Sequence, residues 1–137
     1  MAFDGNYRPR LWASAEDAAA ARDAAVAHAD IGLSTLDDEA LLNGGATADS
    51  VAAHLQGPGC AEAVVKLGPQ GCRLPDGRAI APPQVLVSRD TSGAGDAFNA
   101  GFLDARLRGL PIAEAALAGH RLAGLFSGRF CSISTSW

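Results

Sequence analysis

The stretch Asp90-Thr91-Ser92-Gly93-Ala94-Gly95-Asp96 decides how this chain is read. Before it stands the short run Gln84–Val87, which ends Val-Leu-Val and reads as a strand. After it, Ala97, Phe98, Phe102 and Ala105 recur at helical spacing. A strand, a glycine-rich turn and a helix start, in that order, make a place for an anion. The first N–H groups of a helix have no partner inside it. Gly93 and Gly95 let the backbone turn tightly and approach a ligand. Such a loop binds phosphate or another anion, and Asp96 falls in the first turn beside it.

A carboxylate next to a phosphate site repels it as a binding group, but it makes sense as a general base that takes a proton from an attacking hydroxyl. The backbone N–H groups would then stabilise charge on the transferring phosphoryl group. Asp96 also fits the plain role of an acid favoured by the helix dipole. Spacing leaves both readings open. Two commoner phosphate motifs are excluded. A dinucleotide fingerprint needs a third glycine where Phe98 stands, and a Walker A loop needs Lys followed by Ser or Thr after the second glycine.

Outward from this loop, helices and strands alternate. Ser14 is an N-cap, with Glu16 and Asp17 in the first turn, for an Ala-rich helix to about His28. Ile31 to Leu33 reads as a strand. Asp37 is positioned to cap a short helix that Asn43-Gly44-Gly45 ends. Thr47 opens another, with Val51, Ala52 and Leu55 on one face and Gly57-Pro58-Gly59 as its stop. Ala63 to Leu67 reads as a buried strand. Gly68-Pro69-Gln70-Gly71 and Pro75-Asp76-Gly77-Arg78 are turns, with Cys72–Leu74 and Ala79–Ala81 as hairpin arms. Gly109-Leu110-Pro111 separates the helix after Asp96 from a last helix, Ile112 to about Leu125, and from Ser127 the sequence turns Ser-rich and reads as irregular and poorly ordered. The alternation predicts an α/β fold with a largely parallel sheet.

Composition narrows the function. The chain has 137 residues, one domain's worth, with 48% hydrophobic and 19% charged residues, which is unlike a disordered segment. A net charge of −4 leaves no basic footprint for nucleic acid or a membrane surface. No apolar run approaches the roughly 20 residues of a membrane span. Cys60, Cys72 and Cys131 are odd in number and lack metal-ligand spacing, so free thiols in a reducing cytoplasm are expected, Cys60 and Cys72 as small buried groups. His28 and His54 lie on helices without ligand spacing and read as surface or core residues. Trp12, beside Leu11, reads as core packing.

The longer run Asp90-Thr91-Ser92-Gly93-Ala94-Gly95-Asp96-Ala97-Phe98-Asn99-Ala100-Gly101-Phe102 is similar to the second signature of the ribokinase/PfkB carbohydrate kinases. The resemblance implies a ribokinase-like α/β fold, here the C-terminal part of a mostly parallel sheet flanked by helices. It implies that Asp96 is the catalytic base and that the backbone of Gly93, Ala94 and Gly95 forms the anion hole. Val64 to Gly71 resembles the strand and turn lining the nucleotide pocket, which assigns Lys66, Leu67, Gly68 and Gly71 to ATP. His120, in Ala118-Gly119-His120-Arg121-Leu122-Ala123, matches a position bordering the adenine. Asp38, in Leu36-Asp37-Asp38-Glu39, falls where relatives carry an acid that helps organise magnesium. Asp90 and Ser92 match positions near a monovalent-cation site of some members.

Phe3-Asp4-Gly5-Asn6-Tyr7-Arg8-Pro9-Arg10-Leu11-Trp12 resembles a segment of the 2-keto-3-deoxygluconate kinase branch, where the arginine matching Arg8 faces the acid sugar. A guanidinium pairs well with a carboxylate, so a small sugar acid is the implied partner, with ATP and magnesium as cofactors. Asp96 would then deprotonate the terminal hydroxyl, giving the 6-phosphate. Fructokinase-like members share the Asp96 loop. Residues 1–124 thus read as the C-terminal portion of such a kinase domain and 125–137 as a divergent tail. Family members are about twice as long, and their N-terminal half supplies much of the sugar pocket and lid. A truncated gene product is one expectation, and a catalytically inactive remnant or interaction module is the competing one. An exposed sheet edge and apolar faces would favour self-association or pairing with the missing half.

Overall fold

A computed structural model describes residues 1–84 and 93–133, with residues 127–133 described as helical backbone only. Of the expected strand Gln84–Val87, residues 85–87 lie outside the described residues, as do Asp90 and Ser92. The chain divides into two compact units, residues 1–68 with 72–79, and residues 69–71 with 80–137.

The first unit is built on β1 (Ala2–Phe3), α1 (Ala15–Val26), β2 (Ile31–Thr35), α2 (Leu36–Asn43), α3 (Ala48–Gln56), β3 (Glu62–Lys66) and β4 (Cys72–Arg73). Strand β5 (Ala79–Ile80) lies at the boundary of the two units. The sheet order is β1-β2-β3-β4-β5. β1, β2 and β3 are parallel, with Leu33 opposite Val64, and β4 turns back antiparallel to β3. Parallel strands buried on both faces read as continuous apolar runs, and Ala63, Val64 and Val65 are fully buried. Val26, Val51, Ala52, Leu55, Cys60 and Val65 pack into one core cluster. Cys60 and Cys72 are buried free thiols, and burial pushes both upward in pKa, Cys72 to about 12.

The helix starts follow local capping chemistry. Ser14 Oγ accepts from the Asp17 N–H at 3.0 Å. Thr47 and Ser50 form a reciprocal capping box. Asp37 is not a cap: α2 begins one residue earlier, after Thr35, and Asp37 sits in its first turn, where the dipole favours an acid.

Arg22 of α1 ties three helices together. It is 6% exposed and its Nη1 donates to Glu39 Oε2 of α2 at 2.6 Å and to Asn43 Oδ1 at 3.3 Å. Its Nε donates to Asp23 Oδ1 at 3.0 Å, and that same oxygen lies 2.7 Å from His54 Nε2 of α3. His54 is thus a bridging residue between helices rather than a bare surface histidine. Partial burial works against the Asp23 anion, but the hydrogen bonds from His54 and Arg22 outweigh it and hold the carboxyl below its ordinary 3.8. A carboxyl depressed in the folded state stabilises the fold above its unfolded pKa, and this stability is lost as pH falls through the folded value. The thermal midpoint is therefore expected to drop more steeply below about pH 4 in the native chain than in Asp23→Asn. Parallel curves for the two would refute the linkage.

The second unit is dominated by α4 (Ala94–Leu107) and α5 (Ile112–Ile133). Phe98, Phe102 and Ala105 of α4 and Ala115 and Ala116 of α5 are buried. Gly101 and Gly119 bring the two helices close. A Cβ on Gly101 would lie 2.7 Å from Ala118 O, and one on Gly119 would lie 2.8 Å from Phe98 O. α5 runs eight residues past Leu125, where the sequence suggested its end, so the Ser-rich stretch is helical through Ile133. Small and polar residues such as Gly128 and Ser132 weaken helix propensity but do not stop a helix already nucleated upstream. No helix among the described residues is long and apolar enough to cross a membrane.

Candidate active site

In the second unit the glycine-rich stretch is mostly helix rather than loop. Gly93 is the residue before α4, in the left-handed region at φ 80°, and the helix begins at Ala94. Only glycine enters that region without strain, and a Cβ there would also lie 2.8 Å from a ring carbon of Phe126. The Ala97 N–H closes the first turn on Gly93 O at 2.9 Å. The N–H groups of Ala94, Gly95 and Asp96 precede that bond and have no acceptor within their own helix. Asp96 occupies the third helical position with its side chain exposed, and Gly95 is exposed beside it. The positive end of the helix dipole, N–H groups without an acceptor in their own helix and an accessible carboxylate thus share one helix terminus.

His120 of α5 is 8% exposed and packs edge-on against Phe98, ring centroids 4.9 Å apart. Burial lowers its pKa, opposed by a hydrogen bond with the Ile80 backbone. Its Nε2 is buried without a partner among the described residues. Gly71 meets the same strand, since a Cβ on it would lie 2.0 Å from Ile80 O. Two of the residues that the resemblance assigns to the nucleotide, Gly71 and His120, are therefore joined through the Ile80 backbone.

The first unit assembles a charged group from residues far apart in sequence. Lys66, at the end of the central strand β3, is 7% exposed, so it is not an edge-strand charge. Its Nζ donates to Asp4 Oδ2 at 2.9 Å. A buried lysine needs such a counter-charge, but the sequence, which quotes Asp4 only as part of a motif, does not say which acid supplies it. Half-buried Asp38 lies within the field of the same pair. Burial first, and then repulsion from Asp4, raise its pKa, while Lys66 and Arg8 oppose the rise. Arg8 is exposed, with Nη2 3.5 Å from Asn6 Oδ1 and no carboxylate partner among the described residues. Leu67 is half-buried and Gly68, at φ 60°, opens the short 3-10 turn that follows β3. Trp12 is 41% exposed, not core. No group of three metal-ligating side chains occurs among the described residues. Magnesium is commonly held by one or two carboxylates plus phosphate oxygens, so Asp38 fits as a contributor rather than as a complete site.

Within the second unit, a helix terminus that presents an acid beside N–H groups without an acceptor in their own helix is the kind of terminus a phosphotransferase uses. Residues 1–135 match the pfkB family carbohydrate kinases, and the chain belongs to that family. It is 40% identical over 127 residues to the 2-dehydro-3-deoxygluconokinase of Dickeya dadantii (strain 3937), and 41% identical over 128 residues to that of Escherichia coli (strain K12). Each match covers 88% of this chain and 41% of the relative. The chain thus spans about two-fifths of the length of the curated relatives it matches. Among solved structures it is similar to a PfkB protein from Polaromonas sp. JS666, at 33% identity and TM-score 0.77 over 89% of this chain and 40% of that one. It is also similar to aminoimidazole riboside kinase from Salmonella enterica complexed with aminoimidazole riboside and an ATP analog. There the identity is 27% and the TM-score 0.78, over 89% of this chain and 43% of that one. The expected ribokinase-like α/β architecture is borne out, with a mixed five-stranded sheet.

Proposed function

We propose that this chain carries the phosphoryl-transfer portion of an ATP-dependent sugar kinase whose substrate is 2-keto-3-deoxygluconate, the compound also called 2-dehydro-3-deoxygluconate. The observation that carries the reading is the start of α4, where exposed Asp96 directly follows Ala94 and Gly95 in the first turn. In this reading Asp96 accepts the proton of the terminal hydroxyl as that oxygen bonds to the γ-phosphorus and the bond to the ADP oxygen breaks. The N–H groups of Gly93, Ala94 and Gly95 take up the charge that builds on the phosphoryl oxygens. Arg8, exposed and without a carboxylate partner among the described residues, receives the carboxylate of the sugar acid. Lys66, Leu67, Gly68, Gly71 and His120 border the nucleotide. Asp38 contributes to magnesium, whose role is to neutralise phosphate charge, and Asp90 to a monovalent cation. The substrate assignment draws support from relatives named 2-dehydro-3-deoxygluconokinase, and ATP use from the neighbour solved with an ATP analog. Buried free thiols at Cys60 and Cys72 suit a reducing cytoplasm.

The test is ADP release from ATP and magnesium by the purified chain, with and without 2-keto-3-deoxygluconate or fructose, beside Asp96→Asn. Turnover dependent on the sugar acid, falling by about 10²–10⁴-fold in the variant, is the expected result. Preference for fructose moves the substrate to the fructokinase-like class. Absence of turnover in a folded sample makes the chain a non-catalytic member of the family, one that needs a partner chain or serves as an interaction module.

A further inference from the structure

Arg8 stands at the end of a run of contacts that begins at the buried end of β3. Lys66 Nζ donates to Asp4 Oδ2 at 2.9 Å, with 9% of the lysine side chain and 23% of the aspartate side chain exposed. Parting them would leave the lysine charge buried alone, so the pair anchors Asp4 to the central strand. The other oxygen, Asp4 Oδ1, accepts the Asn6 N–H at 3.2 Å. This is an Asx turn, in which a side-chain oxygen takes the place of a backbone carbonyl. Asn6 is at φ 38°, the only residue other than glycine with a positive φ among the described residues. Asparagine enters that region more readily than most side chains because its short amide bonds locally. Its Oδ1 faces Arg8 Nη2, 3.5 Å away. Gly5, between Asp4 and Asn6, seats the turn against α2, where a Cβ would lie 3.4 Å from Glu39 Oε1.

We propose, on the reading of Arg8 as the residue that receives the substrate carboxylate, that Asp4 and Asn6 are positioning residues for its guanidinium. Neither needs to touch the ligand. An exposed arginine samples many rotamers and loses that freedom when it clamps a carboxylate. A turn that confines it beforehand removes part of the loss, which raises affinity without a new contact to the ligand. The backbone conformation at Asn6 is sparsely populated, and such strain persists where neighbours over-determine it, as Asp4 Oδ1 does here. Lys66 gives the device its second end. Because Asp4 holds the strand with one oxygen and the turn with the other, the place of Arg8 is set by β3 and not by the surface segment alone.

The full chain and its variants are titrated by calorimetry with 2-keto-3-deoxygluconate, and separately with an ATP analog and magnesium. Asn6→Gly keeps the left-handed backbone accessible and removes Oδ1. Asp4→Glu keeps a carboxylate for Lys66 but carries it one carbon further out, which loses the Asx turn. Each is expected to weaken sugar-acid binding by roughly threefold to tenfold, while affinity for the ATP analog stays within about twofold. Arg8→Ala should weaken sugar-acid binding at least as much. In the ligand-free chain the heteronuclear NOE of the Arg8 Nε–Hε pair should fall in both turn variants. The urea midpoint of Asn6→Gly should stay nearly in place, because Asn6 is exposed. If Arg8→Ala loosens the sugar acid but both turn variants bind like the parent, the proposal is overturned and the reading of Arg8 stands. An unchanged NOE in both variants overturns it as well. No sugar-acid binding by the folded parent, or an Arg8→Ala chain that binds like the parent, defeats the reading of Arg8 and the proposal with it.

Discussion

Gly119→Val is expected to lower the stability of the chain by about 3 kcal/mol or more, read as a shift of the urea midpoint by far-UV circular dichroism. A glycine inside a helix ordinarily costs about 1 kcal/mol relative to alanine, so replacing it should help unless the space is taken. Here it is taken. The first added carbon would lie 2.8 Å from Phe98 O and within 2.9 Å of two ring carbons of the same residue. The ring can rotate away, but the carbonyl belongs to α4 and moves only with that helix. Gly101 faces the reciprocal obstacle, Ala118 O at 2.7 Å. Forcing the helices apart would also unseat Phe98 from His120 of α5. A Gly119→Ala chain that is more stable than the parent would show that the close approach is absent in solution.

Arg22→Met is expected to cost about 3–5 kcal/mol by the same measurement. The guanidinium is the only cation within hydrogen-bond reach of Glu39 among the described residues, and both side chains are at most 6% exposed. Removing it strands a carboxylate away from water, and Asn43, which donates to Glu39 Oε2 at 3.4 Å, cannot supply charge. The double change Arg22→Met with Glu39→Met should recover much of the loss, because an apolar pair of similar volume carries no desolvation penalty. If the double variant is no better than the single one, the ion pair is not what makes Arg22 important. The contrast with Asp96 is useful. That side chain is exposed, so its replacement should affect turnover while leaving the urea midpoint nearly in place.

The elements legible in the sequence were those written in local code. Ser14 and Thr47 cap helices because a hydroxyl at that position meets an N–H three residues on. Ala63 to Val65 reads as a buried strand because a parallel strand has no solvent face. The Asp96 motif was legible for the same reason, a strained glycine and an acid at fixed spacing from a helix start. The features that escaped depend on distant partners. Nothing near Lys66 in sequence indicates that Asp4, 62 residues away, will neutralise it. Nothing near Arg22 identifies Glu39 and His54, which lie on two other helices, and Gly101 and Gly119 look like weak helix residues until α4 and α5 are placed side by side. The extension of α5 past Leu125 shows the opposite error. The Ser-rich composition from Ser127 reads as irregular, but an established helix continues through it to Ile133.

The two buried thiols have a practical consequence. A thiol held near pKa 12 and out of contact with water is inert towards alkylating reagents in the folded chain. Cys72 sits on β4 beside the central strand, while Cys60 sits in the core under α3. With Cys131 replaced by serine, each labelling event would record an opening of the sheet at β4 or of the core under α3. The protein thereby carries its own pair of clocks for which part of the first unit comes apart first.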